Sequence, residues 1–333
     1  MTRAALLAAL ALTVVGGMSR PLDAYLKLGS SVGGEIVALR WPAGPIRYFV
    51  TDRGAPDVSP SQFEAAIGRA VESWERVPRA AVELDFVGFT GAEPSDEDGL
   101  ATIGFQHRPD LQGILASTSF VVDVITGEIV ESDILINSAF PWSVEDAGAP
   151  GRFDLESVVL HEVGHLLGLS HSLLGETEVT GGQRRVIAAE SAMFPIAFGP
   201  GVVEGRTLRA DDIAGISDLY PGGGFDAGTG SIDGRVEKDG RGLFGAHVVA
   251  FNTRTGALVG GFTLNDDGAF VIAGLEPGPH VIRVEPLDDA ASDSFFGDAS
   301  PPDTDFGVTY HDRLVLVPAG GNIGILDVPV RPQ

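Results

Sequence analysis

Two kinds of hydrophobic periodicity divide the chain. Between residues 34 and 137 short runs rich in β-branched and aromatic residues recur: GEIVALRW, IRYFV, VELDFVGF, LATIGFQ, STSFVVDVI and ESDILIN. Their length and composition predict strands. Within this region Phe63, Ile67, Ala70, Val71, Trp74 and Val77 return every three or four positions, which predicts an amphipathic helix whose stripe fills core. Ser59-Pro60-Ser61-Gln62 opens it: Ser59 caps, Pro60 suits the first turn and Gln62 completes a capping box. A second helix starts near Asp154 as its N-cap. A third is DDIAGISDLY, with Asp211 and Asp212 at its positive end. Strands followed by helices predict an α+β unit, one mixed sheet with helices packed on it.

The pattern changes at YPGGGFDAGTGS, Tyr220 to Ser231. The glycines read as a linker over 222–230. Beyond it every run is strand-like: AHVVAFN, VGGFTL, AFVIAGL, HVIRVE and RLVLVPAGGNIGILDVPV. Asp267-Gly268 between two of them is a hairpin signal. Residues 231–333 therefore predict a small antiparallel all-β sandwich, with 288–312, long and acidic, as an inserted loop.

Residues 1–17, MTRAALLAALALTVVGG, carry one early cation followed by an apolar run too short to span a bilayer, the pattern of a signal peptide. Export and release are expected, with no membrane anchor. A composition rich in Ala, Gly, Val and Asp and poor in Lys suggests a bacterial source. The net charge of −24, from 46 acidic and 22 basic residues, argues against nucleic acid and anionic membranes as partners. There is no cysteine, so disulfides, thiolate metal sites and cysteine nucleophiles are excluded. A zinc ion would have to be held by His and carboxylate. Monomer is the default oligomeric state.

Of seven histidines, three lie within LHEVGHLLGLSHS: His161, His165 and His171. His161 and His165, four apart on a helix, share one face one turn apart. Glu162 sits about 100° round from His161 and can reach a water without binding the metal. Gly168 permits the left-handed turn that ends a helix and lets His171 return as a third donor. Three protein ligands with one open position is the arrangement of catalytic zinc. A bare H-E-x-x-H arises by chance in roughly one chain in a hundred of this length; Gly168 and His171 at fixed offsets make coincidence much rarer. Surface histidines on a helix would not explain Glu162, Gly168 and His171 together. The chemistry read from this set is hydrolysis of a protein or peptide substrate, with Glu162 as general base and then acid.

These residues resemble the metzincin zinc peptidases, whose H-E-x-x-H-x-x-G-x-x-H is followed by a methionine turn; Ser191-Ala192-Met193 stands 22 residues after His171. Ser172, SAMFP with Pro195 two residues past Met193, GILAS at 113–117 and LRADDIAGISDLYP are similar to the matrixin branch. The resemblance implies a metzincin-type catalytic domain over about 36–221, Met193 and Pro195 supporting the site, and GILAS on the edge strand that holds substrate. His107 stands alone and Ser117 occupies the place of a structural-zinc histidine, so one zinc is expected. Ala197 stands where a tyrosine is common, and Arg209 where the last helix usually has a serine cap. The resemblance leaves calcium as an option around 110–133, but Asp110, Asp123, Glu128 and Asp133 read first as ordinary loop and strand carboxylates, and EPSDEDG (93–99) as a solvated loop. Residues 231–333 resemble the carboxypeptidase regulatory-like domains, with a stabilising or spacer role as the simplest one. His107, His247, His280 and His311 show no spacing signal and read as surface or satisfied core residues. A secreted zinc endopeptidase is thus the first functional reading. The alternatives are an inactive zinc-binding scaffold acting through its sandwich, against which the intact Glu162 argues, and a zinc hydrolase acting on non-peptide substrates, against which GILAS argues.

Overall fold

The strand runs of the first half pair into one sheet. In the computed structural model, which describes residues 9–15, 27–32, 35–180, 183–287 and 302–333, these are β1 (Ala9–Val15), β2 (Ile46–Thr51), β3 (Leu84–Thr90), β4 (Ala101–Gln106), β5 (Ile114–Val122) and β6 (Ile129–Asn137). The order is β1-β5-β6-β4-β2-β3. Every pair is parallel except β5 with β6. The GILAS segment lies at the start of β5, but β5 is one strand in from the edge, because β1 pairs along its outer side. That strand is drawn from the segment read as a signal peptide; residues 1–8 and 16–17 of that segment lie outside the described residues.

Helices α1 (Pro60–Glu75) and α2 (Leu155–Leu166) share a buried core with the sheet, in which Phe63, Ile67 and Trp74 meet Ile103, Ile134, Val159 and Val163. The α1 stripe is buried as its spacing requires, and its capping box is formed: Gln62 N–H donates to Ser59 Oγ and Ser59 N–H to Gln62 Oε1. Trp74 Nε1–H donates to Leu160 O at 2.9 Å, which locks α1 to the middle of α2. Asp154 caps α2 by accepting from Ser157 N–H and pairs with Arg206. At the other end Tyr220 donates to Leu167 O (2.7 Å) and accepts from Trp41 N–H (3.0 Å), while Trp41 Nε1–H donates to Leu166 O. Helix α3 (Ala210–Leu219) follows.

The glycine-rich stretch is hydrogen-bonded to the first unit: Gly222 N–H donates to Arg79 O, and Phe225–Gly228 form one helical turn with Phe225 buried. Seven main strands come next: β7 (Gly230–Lys238), β8 (His247–Asn252), β9 (Leu258–Phe262), β10 (Ala269–Leu275), β11 (Gly278–Glu285), β12 (Val315–Val317) and β13 (Asn322–Val330). One sheet has β7 between β10 and β13; the other runs β9-β8-β11, with β12 also on β11. Ile232, Val236 and Phe270 from the first share one buried core with Val248, Ala250 and Ile282 from the second.

Asp267-Gly268 does not close a hairpin. It carries the chain from β9 in one sheet to β10 in the other. Gly268 supplies the left-handed residue (φ 73°), and its carbonyl accepts from Val236 N–H. The same turn chemistry serves a sheet crossing and a hairpin. No helix among the described residues is long and apolar enough to cross a membrane.

Candidate metal centre

Helix α2 and the turn after it bring the three histidines together. His161 and His165 Nε2 are 3.0 Å apart, and His165 and His171 Nε2 are 3.2 Å apart. The turn depends on Gly168, whose φ is +100°; a Cβ there would lie 2.3 Å from Leu39 O. Leu169 N–H donates to Gly164 O at 3.0 Å and reverses the chain towards His171.

Backbone carbonyls set the imidazole tautomers. His161 Nδ1 lies 2.8 Å from Ala192 O, and His165 Nδ1 2.8 Å from Leu169 O. A carbonyl oxygen only accepts, so both Nδ1 atoms carry the proton and both Nε2 atoms present lone pairs. Burial pushes all three imidazoles down, His165 to about 4, and so favours the neutral form that binds metal. Facing lone pairs at 3.0 Å repel each other unless a cation lies between them. Zn–N bonds of about 2.0–2.1 Å in a tetrahedron put nitrogens about 3.3 Å apart, close to the spacing here. The residues present therefore fit zinc. Among the described residues this is the one group whose donor atoms converge in that way.

Glu162 is completely buried. Its Oε2 accepts from Thr118 Oγ1–H at 2.6 Å, and its Oε1 has no protein partner. Burial pushes this carboxyl up to about 8, against the lowering effect of the Thr118 bond. Thr118 lies on β5, 44 residues away in sequence, and no local signal marks it.

Met193 packs beneath the helix. A Cβ on Gly164, between the two helical histidines, would lie 2.3 Å from Met193 Sδ and 2.8 Å from Trp74. The methionine turn is held by Asp212, which accepts from Ser191 Oγ–H (2.5 Å), Ala192 N–H (2.8 Å), Met193 N–H (3.2 Å) and Arg209 N–H (2.7 Å). Met193 O accepts from Ser172 N–H next to His171. Pro195 is buried two residues on. Asp211 and Asp212 do more than complement the helix dipole: both are buried acceptors, and burial pushes both up, Asp211 to about 7.

The carboxylates considered for calcium do not converge. Asp110 pairs with Arg108, Asp123 caps the turn at Ile125 and Thr126, and Asp133 accepts from Ser95 and Thr102 N–H. The 93–99 loop is less free than a solvated loop, since it folds over Asp133 and over Glu131, which accepts from Gly99 N–H. His280 is buried with Nδ1 on Gly278 O, but His247 has an Nε2 without a partner and is not a satisfied core residue.

Comparison with known proteins agrees with this geometry. The matrixin family model (Peptidase_M10) matches residues 40–221. Over 192 residues the chain is 27% identical to "Metalloendoproteinase 1" of Glycine max, covering 54% of this chain and 52% of that protein. It is 27% identical over 191 residues to "Metalloendoproteinase 1-MMP" of Arabidopsis thaliana, covering 54% and 44%. It is 42% identical over 83 residues to "Metalloendoproteinase 5-MMP" of the same plant, covering 25% and 18%. The chain thus spans about half the length of these relatives, or less. With more than half of its residues matched by that model and the histidines gathered at one point, the chain belongs to the matrixin family.

Proposed function

We propose that this chain is an exported zinc endopeptidase that hydrolyses peptide bonds in protein or peptide substrates. The observation that carries the reading is the convergence of His161, His165 and His171 Nε2 next to a buried carboxylate, Glu162, with one free oxygen. The three imidazoles would hold one zinc ion, which when bound supplies Lewis acidity to a substrate carbonyl and to water. Glu162 takes a proton on Oε1 and returns it to the leaving amine, while Thr118 fixes Oε2 and so the direction of the free oxygen. Without metal, burial favours the protonated form of this carboxyl; a bound zinc ion would favour the ionised form that accepts the proton. Gly168 and Met193 set the turn and the floor, and Pro195 directs the chain out of the methionine turn.

We read residues 36–221 as the peptidase domain, 222–230 as a linker and 231–333 as a carboxypeptidase regulatory-like β-sandwich, supported by the two sheets with a common core. Export rests on the pattern of residues 1–17, and monomer is the default. The test is casein hydrolysis with and without a chelator, for the native chain and for Glu162→Gln. Chelator-sensitive cleavage that Glu162→Gln abolishes with zinc still bound is the expected result. Zinc binding with no cleavage of any substrate in a peptide library would leave an inactive scaffold as the correct reading.

A further inference from the structure

We propose that Asp211 is a positioning residue that ties strand β9 of the C-terminal unit to the backbone beside His171, so that residues 231–333 help hold the metal centre and are not a spacer. The inference rests on the zinc reading above. Asp211 lies in the first turn of α3 and is buried. Its Oδ2 accepts from Ser172 Oγ–H at 2.6 Å, and its Oδ1 accepts from Gly260 N–H at 2.8 Å. Ser172 directly follows His171, and Gly260 is in the middle of β9. One carboxylate therefore spans the two units one residue from a histidine of the triad.

A buried carboxylate is costly unless its oxygens are occupied, and both are used across this junction. Capping does not require it, because Asp212 already accepts from Arg209 N–H at the start of the helix.

The surrounding packing is close. A Cβ on Gly260 would lie 3.0 Å from His247 Nε2 and 3.5 Å from Leu174 Cγ, so a side chain there would press on His247 and be accommodated only if that ring shifted. The gap lined by His171, Ser172, Asp211, His247 and Gly260 is only about 20 Å³, little more than one water. Movement of β9 is therefore passed to Ser172 and not absorbed. Ala214, one turn along α3, is buried in the core of the C-terminal unit with Ile232 and Phe270. Helix α3 is thus gripped by that unit, while its first turn holds Ser172 through Asp211 and the methionine turn through Asp212.

The test uses the full chain, loaded with zinc or with cobalt as a spectroscopic substitute, and reads the rate of metal loss to a chelator and the visible spectrum of the cobalt form. Asp211→Ala and Gly260→Val are expected to speed metal loss about tenfold, the scale of losing an outer hydrogen bond to a ligand set, and to change the cobalt spectrum. Asp211→Asn should stay within about twofold, because its amide oxygen still accepts from Gly260 N–H and its NH2 donates to Ser172 Oγ. If Gly260→Val does not fold, Gly260→Ala carries the same test from the C-terminal side. Variants that melt earlier yet lose metal at the native rate with a native spectrum would overturn the proposal. A native chain that takes up neither metal would instead overturn the zinc reading, and this inference with it.

Discussion

Replacing Glu162 by Gln in the metal-free protein isolates the cost of burying the proposed base. The carboxyl moves from an ordinary value of 4.5 to about 8 because it is buried, and the Thr118 hydrogen bond offsets only part of that. A folded-state value above the unfolded one means the folded chain binds the proton more tightly. The stability this provides is complete below about pH 4.5 and is lost as pH rises through about 8. At about 1.36 kcal/mol per pH unit, the loss attributable to this one group approaches about 5 kcal/mol. Gln keeps the acceptor for Thr118 and cannot ionise. Urea unfolding of both metal-free proteins at about pH 5, 7 and 9 separates this group from the rest, since Asp133, Asp211 and the histidines titrate in both. The native protein should lose stability relative to Glu162→Gln across this range, and zinc should narrow the gap by favouring the ionised carboxyl. Parallel stability curves would refute the reasoning, because they would mean that Glu162 is hydrated or already ionised in the fold.

Two further outcomes follow from the turn and the clamp around α2. Gly168→Ala puts a Cβ 2.3 Å from Leu39 O at φ +100° and should cost about 2–3 kcal/mol or more; an unchanged thermal midpoint would contradict the positive-φ turn. Tyr220→Phe leaves Leu167 O and Trp41 N–H without their common partner, and should cost about 1–3 kcal/mol by chemical denaturation. A neutral Tyr220→Phe would mean that this hydroxyl is not what secures the end of α2.

What could be read from sequence was set by short-range geometry. The α1 stripe, the Ser59 cap and the H-E-x-x-H face depend on residues within one or two helical turns, so spacing determines them. Gly168 belongs to the same class, since the reversal it permits is local. Thr118 could not be found this way, because its contact with Glu162 exists only once β5 lies against α2. Asp211 and Asp212 look like ordinary first-turn acids; their work as buried acceptors depends on where Ser172, the methionine turn and Gly260 come to rest. The Asp267-Gly268 turn shows a third limit. Its residues specify a backbone reversal, while the choice between hairpin and sheet crossing belongs to the strand partners far along the chain.

The most direct test of the central claim, that three imidazoles meet at one ion, is the zinc absorption-edge spectrum of the loaded chain together with its metal stoichiometry. The account predicts one zinc per chain with three imidazole nitrogens at about 2.0–2.1 Å and one oxygen position open to exchange, and loss of that shell in His165→Ala. A spectrum dominated by oxygen ligands, or zinc retained unchanged in His165→Ala, would contradict it.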